Sequence, residues 1–314
     1  MKERIWLTAL LVFMGAGWGM TQPFTKIAVS GGYRDFGLIV WQGVIASALL
    51  GTIMLIRRRP LPLGRRQIGF YLVIAMVGMI LPSIATYQAA RFVPAGVLSV
   101  SIAAMPMFAF PIALAMGLDR FSAVRLAGLL CGLSGVWLLV GPENGPAGVA
   151  TVWVLMALVP PLLYAIEANF VARFGTGGAG PMQLLLGASL VGLAISVPIA
   201  LATGQWIDPR PPWGAPDLAL IASSVINVLI YTLYVWMVGR AGPVFAGQVS
   251  YLVTGFGVIW AMVLLGEQYS GWFWAALALM LAGLFLVQPR EKEPLAEASA
   301  PGENGGKQQT GPTQ

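Results

Sequence analysis

The chain is a succession of long apolar runs, each about the length needed to cross a bilayer, and nothing else in it limits the fold as much. Bounded by charge, glycine or proline, the runs fall at about residues 5–28, 37–56, 68–90, 94–116, 123–141, 149–172, 181–203, 216–238, 243–265 and 271–288. A hydrocarbon core of roughly 30 Å takes about 20 apolar residues per helix. In lipid only helices and closed barrels satisfy every backbone group, and runs this continuous lack the two-residue alternation of barrel strands. The expectation is an all-α membrane protein with ten transmembrane helices. Only 10% of the 314 residues are charged, against about a quarter in soluble domains, so little is left for a soluble domain. The basic and apolar start, MKERIWLTALLVFMGAGWG, has the look of a signal peptide but no convincing cleavage site, and reads as a retained first helix.

Several chemistries are excluded by residue type. There is no histidine and one cysteine, Cys131, which removes disulfides and the common zinc or histidine-based catalytic sites. No cofactor is expected. An ATP-driven pump lacks its phosphate-binding loop, since the only Gly-Lys pair, Gly306-Lys307, is followed by Gln308. Asp35, Asp119, Asp208 and Asp217 all fall in loops, and Glu167 alone cannot form a two-carboxylate site. The chain is therefore not read as an enzyme. Its basic excess reports loop orientation before it reports nucleic acid. With a cytoplasmic N-terminus, inside positions hold Lys2, Arg4, Arg57, Arg58, Arg59, Arg65, Arg66, Arg120, Arg125, Arg173, Arg240, Arg290 and Lys292, while outside loops keep only Arg34, Arg91 and Arg210. Ten spans then place both termini in the cytoplasm, with the cytoplasmic (inner) membrane as the location. After Pro289 the sequence turns polar and rich in Pro, Gly, Glu and Gln, and residues 290–314 are read as a disordered cytoplasmic tail.

The chain also repeats. A shift of about 148 residues sets RFVPAG (91–96) on RAGPVF (240–245), and LDRFSAVRLAG (118–128) on GEQYSGWFWAA (266–276). Asp119 then matches Glu267, Phe121 matches Tyr269, and Gly135 matches Gly283; near the start of each half Trp18 and Phe24 fall on Tyr164 and Phe170. The halves are residues 1–145 and 146–289, with five spans in each. An odd number of spans makes the second copy enter from the opposite side, so the expectation is two inverted five-helix repeats. That arrangement recurs in secondary transporters, whose sites lie at the repeat interface near the midplane.

GWGMTQPFTKIA (17–28), ARFVPAGVLSVSIAAMPMF (90–108) and LLGEQYSGWFWAALALMLAGLFLV (264–287) together make the chain resemble the drug/metabolite transporter superfamily, in its EamA-like branch. The glycine-glutamate turn before the last span is the most recognisable element; the first copy departs from it, reading GLDRFS with Asp119 in place of the glutamate. The resemblance covers roughly residues 5 to 288. It implies a bundle whose spans 1, 3, 4, 6, 8 and 9 line a central cavity, with 2, 5, 7 and 10 peripheral, and export as the commoner direction.

Polar side chains collect on those same spans. Asn227, Tyr231 and Tyr234 share one helical face with Ser224, as do Trp18, Gln22 and Lys26 in the first span and Tyr164 and Glu167 in the sixth. Gln248 and Tyr251 in the ninth and Tyr87 and Gln88 in the third complete the candidate substrate-binding set. Each has a plain alternative: tyrosine and tryptophan suit interfacial belts, and Lys26, late in its span, can snorkel to the surface. Pro23, Pro82, Pro106, Pro111, Pro160 and Pro161 are expected to kink spans, and the GLLCG run (128–132) to pack helices closely. Glu167 is the most costly, at about 2.5 to 3.5 kcal/mol for an acid deep in a span. It is read as a structural ion pair, a ligand for a cationic group, or a proton carrier, with the last two favoured. The sequence thus predicts a secondary transporter of a small polar metabolite, such as an amino acid or related compound, with the lipid bilayer as its surroundings, proton coupling open and oligomeric state unread. A passive channel or scaffold is the alternative.

Overall fold

A computed structural model describes residues 2–140 and 149–287. The tail expected at 290–314 lies outside the described residues. Ten helices account for nearly all of them: α1 (Lys2–Ser30), α2 (Asp35–Ile56), α3 (Arg65–Phe92), α4 (Ala95–Ala115), α5 (Ala123–Val140), α6 (Thr151–Phe174), α7 (Pro181–Ala202), α8 (Ala215–Ala241), α9 (Phe245–Leu265) and α10 (Gly271–Val287). Eight are long and apolar enough to cross a membrane; α5 and α10 are apolar but shorter. The chain is a multi-pass, all-helical membrane protein.

Proline explains where helices are interrupted. In α4 the break falls at Ala103 and Ala104, just before Pro106, and in α6 at Ala157 and Leu158, just before Pro160 and Pro161. A proline lacks an amide hydrogen, so it costs least in a first helical turn, and restarting the helix puts it there. α3 instead runs through a π-helical stretch, Ile74–Ile80, that ends just before Pro82. Such wide turns are rare and concentrate at functional sites. Pro23 and Pro111 remain inside helices.

The main helix pairings map onto one another when the halves are exchanged. α1 packs on α8 and α9, and α6 packs on α3 and α4; α2 packs on α8, and α7 on α3; α2 pairs with α7, α4 with α9 and α5 with α10. The α5–α10 seam carries this down to single residues. A Cβ on Gly135 would lie 2.9 Å from the Ala276 carbonyl and 2.6 Å from Met280, while one on Gly283 would lie 2.7 Å from the Gly128 carbonyl and 2.8 Å from the Gly132 amide. A shift of 148 turns one set of neighbours into the other. Near the middle, the Cys131 thiol lies 3.4 Å from the carbonyl of Leu279, its own counterpart. Gly135 therefore faces the first turns of α10 and Gly128 its last, so these equivalent helices run antiparallel. α2 and α7 do the same: Gly37 abuts Gln205 and Ile207, Gly43 abuts Leu193, and Arg57 reaches Met182.

With no hydrophobic force between helices in lipid, such close backbone approach is what holds a seam together. Gly283→Ala should lower the melting temperature of the purified protein, because the added carbon meets backbone on α5 that cannot turn away, an overpacking cost of about 1–3 kcal/mol. Gly51→Ala, with open space around it, is the control; equal melting temperatures for the two variants would contradict the seam.

Candidate functional site

Two groups of polar side chains sit on the central helices. The first follows the face of α1. Trp18 donates its indole N–H to Asn227 Oδ1 of α8 at 2.8 Å, and its ring lies 5.6 Å from that of Tyr234, one helical face along α8. Tyr231, between them on α8, interacts electrostatically with Tyr234 and with Glu167 of α6. Glu167 also acts on Tyr164, one turn away, and Tyr164 on Tyr87 of α3, whose hydroxyl donates to Gln42 Oε1 at 2.6 Å. Direct contacts join Trp18 to Asn227 and Tyr234, and Tyr87 to Gln42, and Glu167 lies within electrostatic range of Tyr164 and Tyr231.

The wide turn of α3 makes room for that acid. A Cβ on Gly78, inside the π-helical stretch, would lie 2.5 Å from Glu167 Oε2 and 2.7 Å from Oε1. Only a residue without a side chain lets the carboxylate occupy this notch. Among the described residues Glu167 makes no hydrogen bond and no ion pair, so the structural ion pair is not what the fold uses. Its counterpart in the first half, Thr21, satisfies itself by donating to the Trp18 carbonyl at 2.6 Å. Four side-chain polar atoms are buried without a hydrogen-bond partner among the described residues: Gln22 Oε1 one turn beyond Trp18, the Tyr251 hydroxyl on α9, and the Ser47 and Ser196 hydroxyls on α2 and α7.

The second group ties together helix ends at one end of the bundle. Lys26 Nζ donates to the carbonyls of Ala90 at 2.6 Å and Val93 at 3.0 Å, at the end of α3. Glu267, in the turn between α9 and α10, accepts from the amides of Ala95 at 2.8 Å and Gly96 at 3.1 Å, the first of α4. The α3–α4 turn is therefore capped at both helix ends from elsewhere in the chain, a cation on free carbonyls and an anion on free amides, each the favourable sign for that helix end. The Tyr269 hydroxyl donates to Glu267, and both burial and that carboxylate push the phenol's pKa up, so it stays protonated. A Cβ on Gly96 would collide with this same phenol. Nearby, Asp35 accepts from Arg91 at 2.7 Å and from Gln88, Tyr33 donates to Asp217, and the Phe36 amide donates to Gln205 at 3.0 Å.

The sequence-based candidates therefore divide. Trp18, Asn227 and Tyr234 form one contact group, with Gln22 on the same α1 face, while Tyr231, Glu167, Tyr164 and Tyr87 each lie within electrostatic range of the next. Lys26 and Gln88 belong to the tied end. Tyr251 is partly buried against the core, and Gln248 is exposed at the break in α9 with no side-chain hydrogen bond. Gly78, Gln42 and Asp35 were not among the candidates. The π-helical stretch leaves no pattern in sequence that would have singled out Gly78. Among the described residues no cluster of acids and cysteine could hold a metal ion.

The model of one protein family, the EamA-like transporter family, matches the chain twice, over residues 5–141 and 151–288. Among solved structures 27 chains match. One, described as "Crystal structure of protein", superposes with a TM-score of 0.61 at 18% identity, covering 88% of this chain and 96% of that one, a likeness of fold. A search of curated proteins finds no significant match.

Proposed function

The chain belongs to the EamA-like transporter family, and from that premise we propose that it is a secondary carrier of a small polar metabolite, such as an amino acid or related compound, working by alternating access between inverted repeats. The repeats are residues 1–145 and 146–289, and all ten helices cross the cytoplasmic membrane. α5 and α10, with 18 and 17 residues, span about 25 Å at helical rise, a shortfall that local thinning of the bilayer accommodates. The antiparallel courses of α2 against α7 and of α5 against α10 support the inversion, and the lysine and arginine bias puts both termini in the cytoplasm.

The observation that carries the reading is an asymmetry between matched turns. Glu267 reaches across to the other half and caps α4, whereas Asp119, its counterpart, stays in its own turn, accepting from the Arg120 amide at 2.8 Å and pairing with Arg125. A two-fold arrangement in which one acid bridges the halves and the other does not is what one state of a two-state carrier requires. The bridged end, by the charge bias, faces outside, so this state opens toward the cytoplasm. Loading there and release outside is export.

Solute counterflow tests this. Amino acids, their amides and simple amines are screened for the compound that most raises the melting temperature of the purified chain; that compound, radiolabelled, is offered to proteoliposomes preloaded with it unlabelled. A carrier shows saturable uptake with a transient overshoot. Uptake that rises linearly with concentration and ignores the preload would make the protein a pore.

A further inference from the structure

Among the described residues, charges reaching the interior of this bundle are matched inside the protein, with one exception. Asp35 pairs with Arg91 and Asp119 with Arg125. Lys26 rests on two carbonyls, and Glu267 on two amides and a phenol. Glu167, seated in the Gly78 notch within electrostatic range of Tyr164 and Tyr231, has no hydrogen bond or ion pair among the described residues. An acid held there is costly to insert into the bilayer, and among the described residues folding supplies no counter-charge.

From this geometry, and resting on the carrier reading above, we propose that Glu167 is the docking point for a protonated amine and that the substrate is an amphipathic organic cation without a free carboxylate. An ammonium would give the acid its missing partner. Its apolar body would lie among the rings of Trp18, Tyr164, Tyr231 and Tyr234, whose faces attract cations. Gln22 Oε1, buried and lacking a donor, is an acceptor, the polarity an N–H-rich ligand satisfies. A zwitterionic amino acid would instead bring a second carboxylate into this group, where no side chain carries positive charge. Lys26, the nearest basic residue on that α1 face, is already engaged by the α3 carbonyls. The general class of amino acids therefore narrows to their amine, amide or ester relatives.

The test is binding of radiolabelled 2-phenylethylamine to the purified full-length chain, in competition with phenylalanine, 3-phenylpropanoate and N-acetyl-2-phenylethylamine, which share its ring and differ in charge. Expected is binding of the amine with the three others at least tenfold weaker. Glu167→Gln should weaken amine binding at least tenfold, and Glu167→Asp should keep a measurable part of it. Gly78→Ala should weaken it as well, because the new carbon occupies the carboxylate's place while the charge stays. Unchanged melting temperatures show that the variants fold. Failure of the wild-type chain to bind the amine, phenylalanine or the propanoate binding as tightly, or equal amine binding by wild type and Glu167→Gln would each overturn the proposal. Amine binding without counterflow would leave the cation site standing and remove the carrier reading; counterflow of an uncharged solute untouched by Glu167→Gln would do the reverse.

Discussion

Glu267→Gln should open the closed end of the bundle while leaving the fold intact. The carboxylate accepts from two backbone amides and one phenol, and hydrogen bonds to a charged group contribute about 1.5–3 kcal/mol each. The amide keeps one acceptor oxygen but turns its NH2 toward a group of donors, so about 2–4 kcal/mol of closure is lost. That is roughly thirty- to a thousandfold in the ratio of closed to open forms. Thiol labelling of a cysteine placed at Val97, a nearly isosteric change at a residue buried in the first turn of α4, reads this directly in a Cys131→Ala background. A labelling rate unchanged from wild type would show that Glu267 is not part of a gate.

Lys26→Met should shift the same equilibrium in the same direction. Its ammonium holds two carbonyls at the end of α3, those of Ala90 and Val93, and the methionine matches its length without charge or donors. Removing two charge-assisted bonds costs about 2–4 kcal/mol, with some returned as water reaches the freed carbonyls. Because Lys26 and Glu267 grip opposite sides of one turn and interact electrostatically, their effects should not add: the double variant should label little faster than the more affected single one. This separates the capping role from substrate binding, since a lysine that held substrate would change apparent affinity and leave the labelling rate of the substrate-free protein alone. Strict additivity would break the link between the two residues.

The helical bundle and its duplication were legible because both are written locally: long apolar runs give the helices, and matched turns give the repeat. The GLLCG run likewise reads as close packing, since glycines at helical spacing in lipid have few other uses. The two caps on the α3–α4 turn were not legible. Asp119 and Glu267 look equivalent in sequence, and only the fold reveals that one bridges the halves while the other pairs with Arg125. Lys26 was placed with Trp18 and Gln22 by helical periodicity, which is correct for the face but silent on depth, and depth put it beside the end of α3. Gln88 was misleading in the same way, because its partner Asp35 lies more than fifty residues earlier. Glu167 was visible as a charge in an apolar run, but the Gly78 notch that leaves it unpartnered arises from a backbone distortion that no residue pattern announces.

The most direct measurement of the central claim, that the two ends open alternately, is pulsed dipolar spectroscopy on spin-labelled cysteine pairs in a Cys131→Ala background. One pair, at Phe92 and Gly271, spans the end held by Lys26 and Glu267; the other, at Phe121 and Gly239, spans the opposite end. Expected is a short, narrow distance for the first pair in the otherwise wild-type chain, which Glu267→Gln lengthens while the second pair shortens. Both distances lengthening together, or the second staying fixed as the first opens, would contradict it.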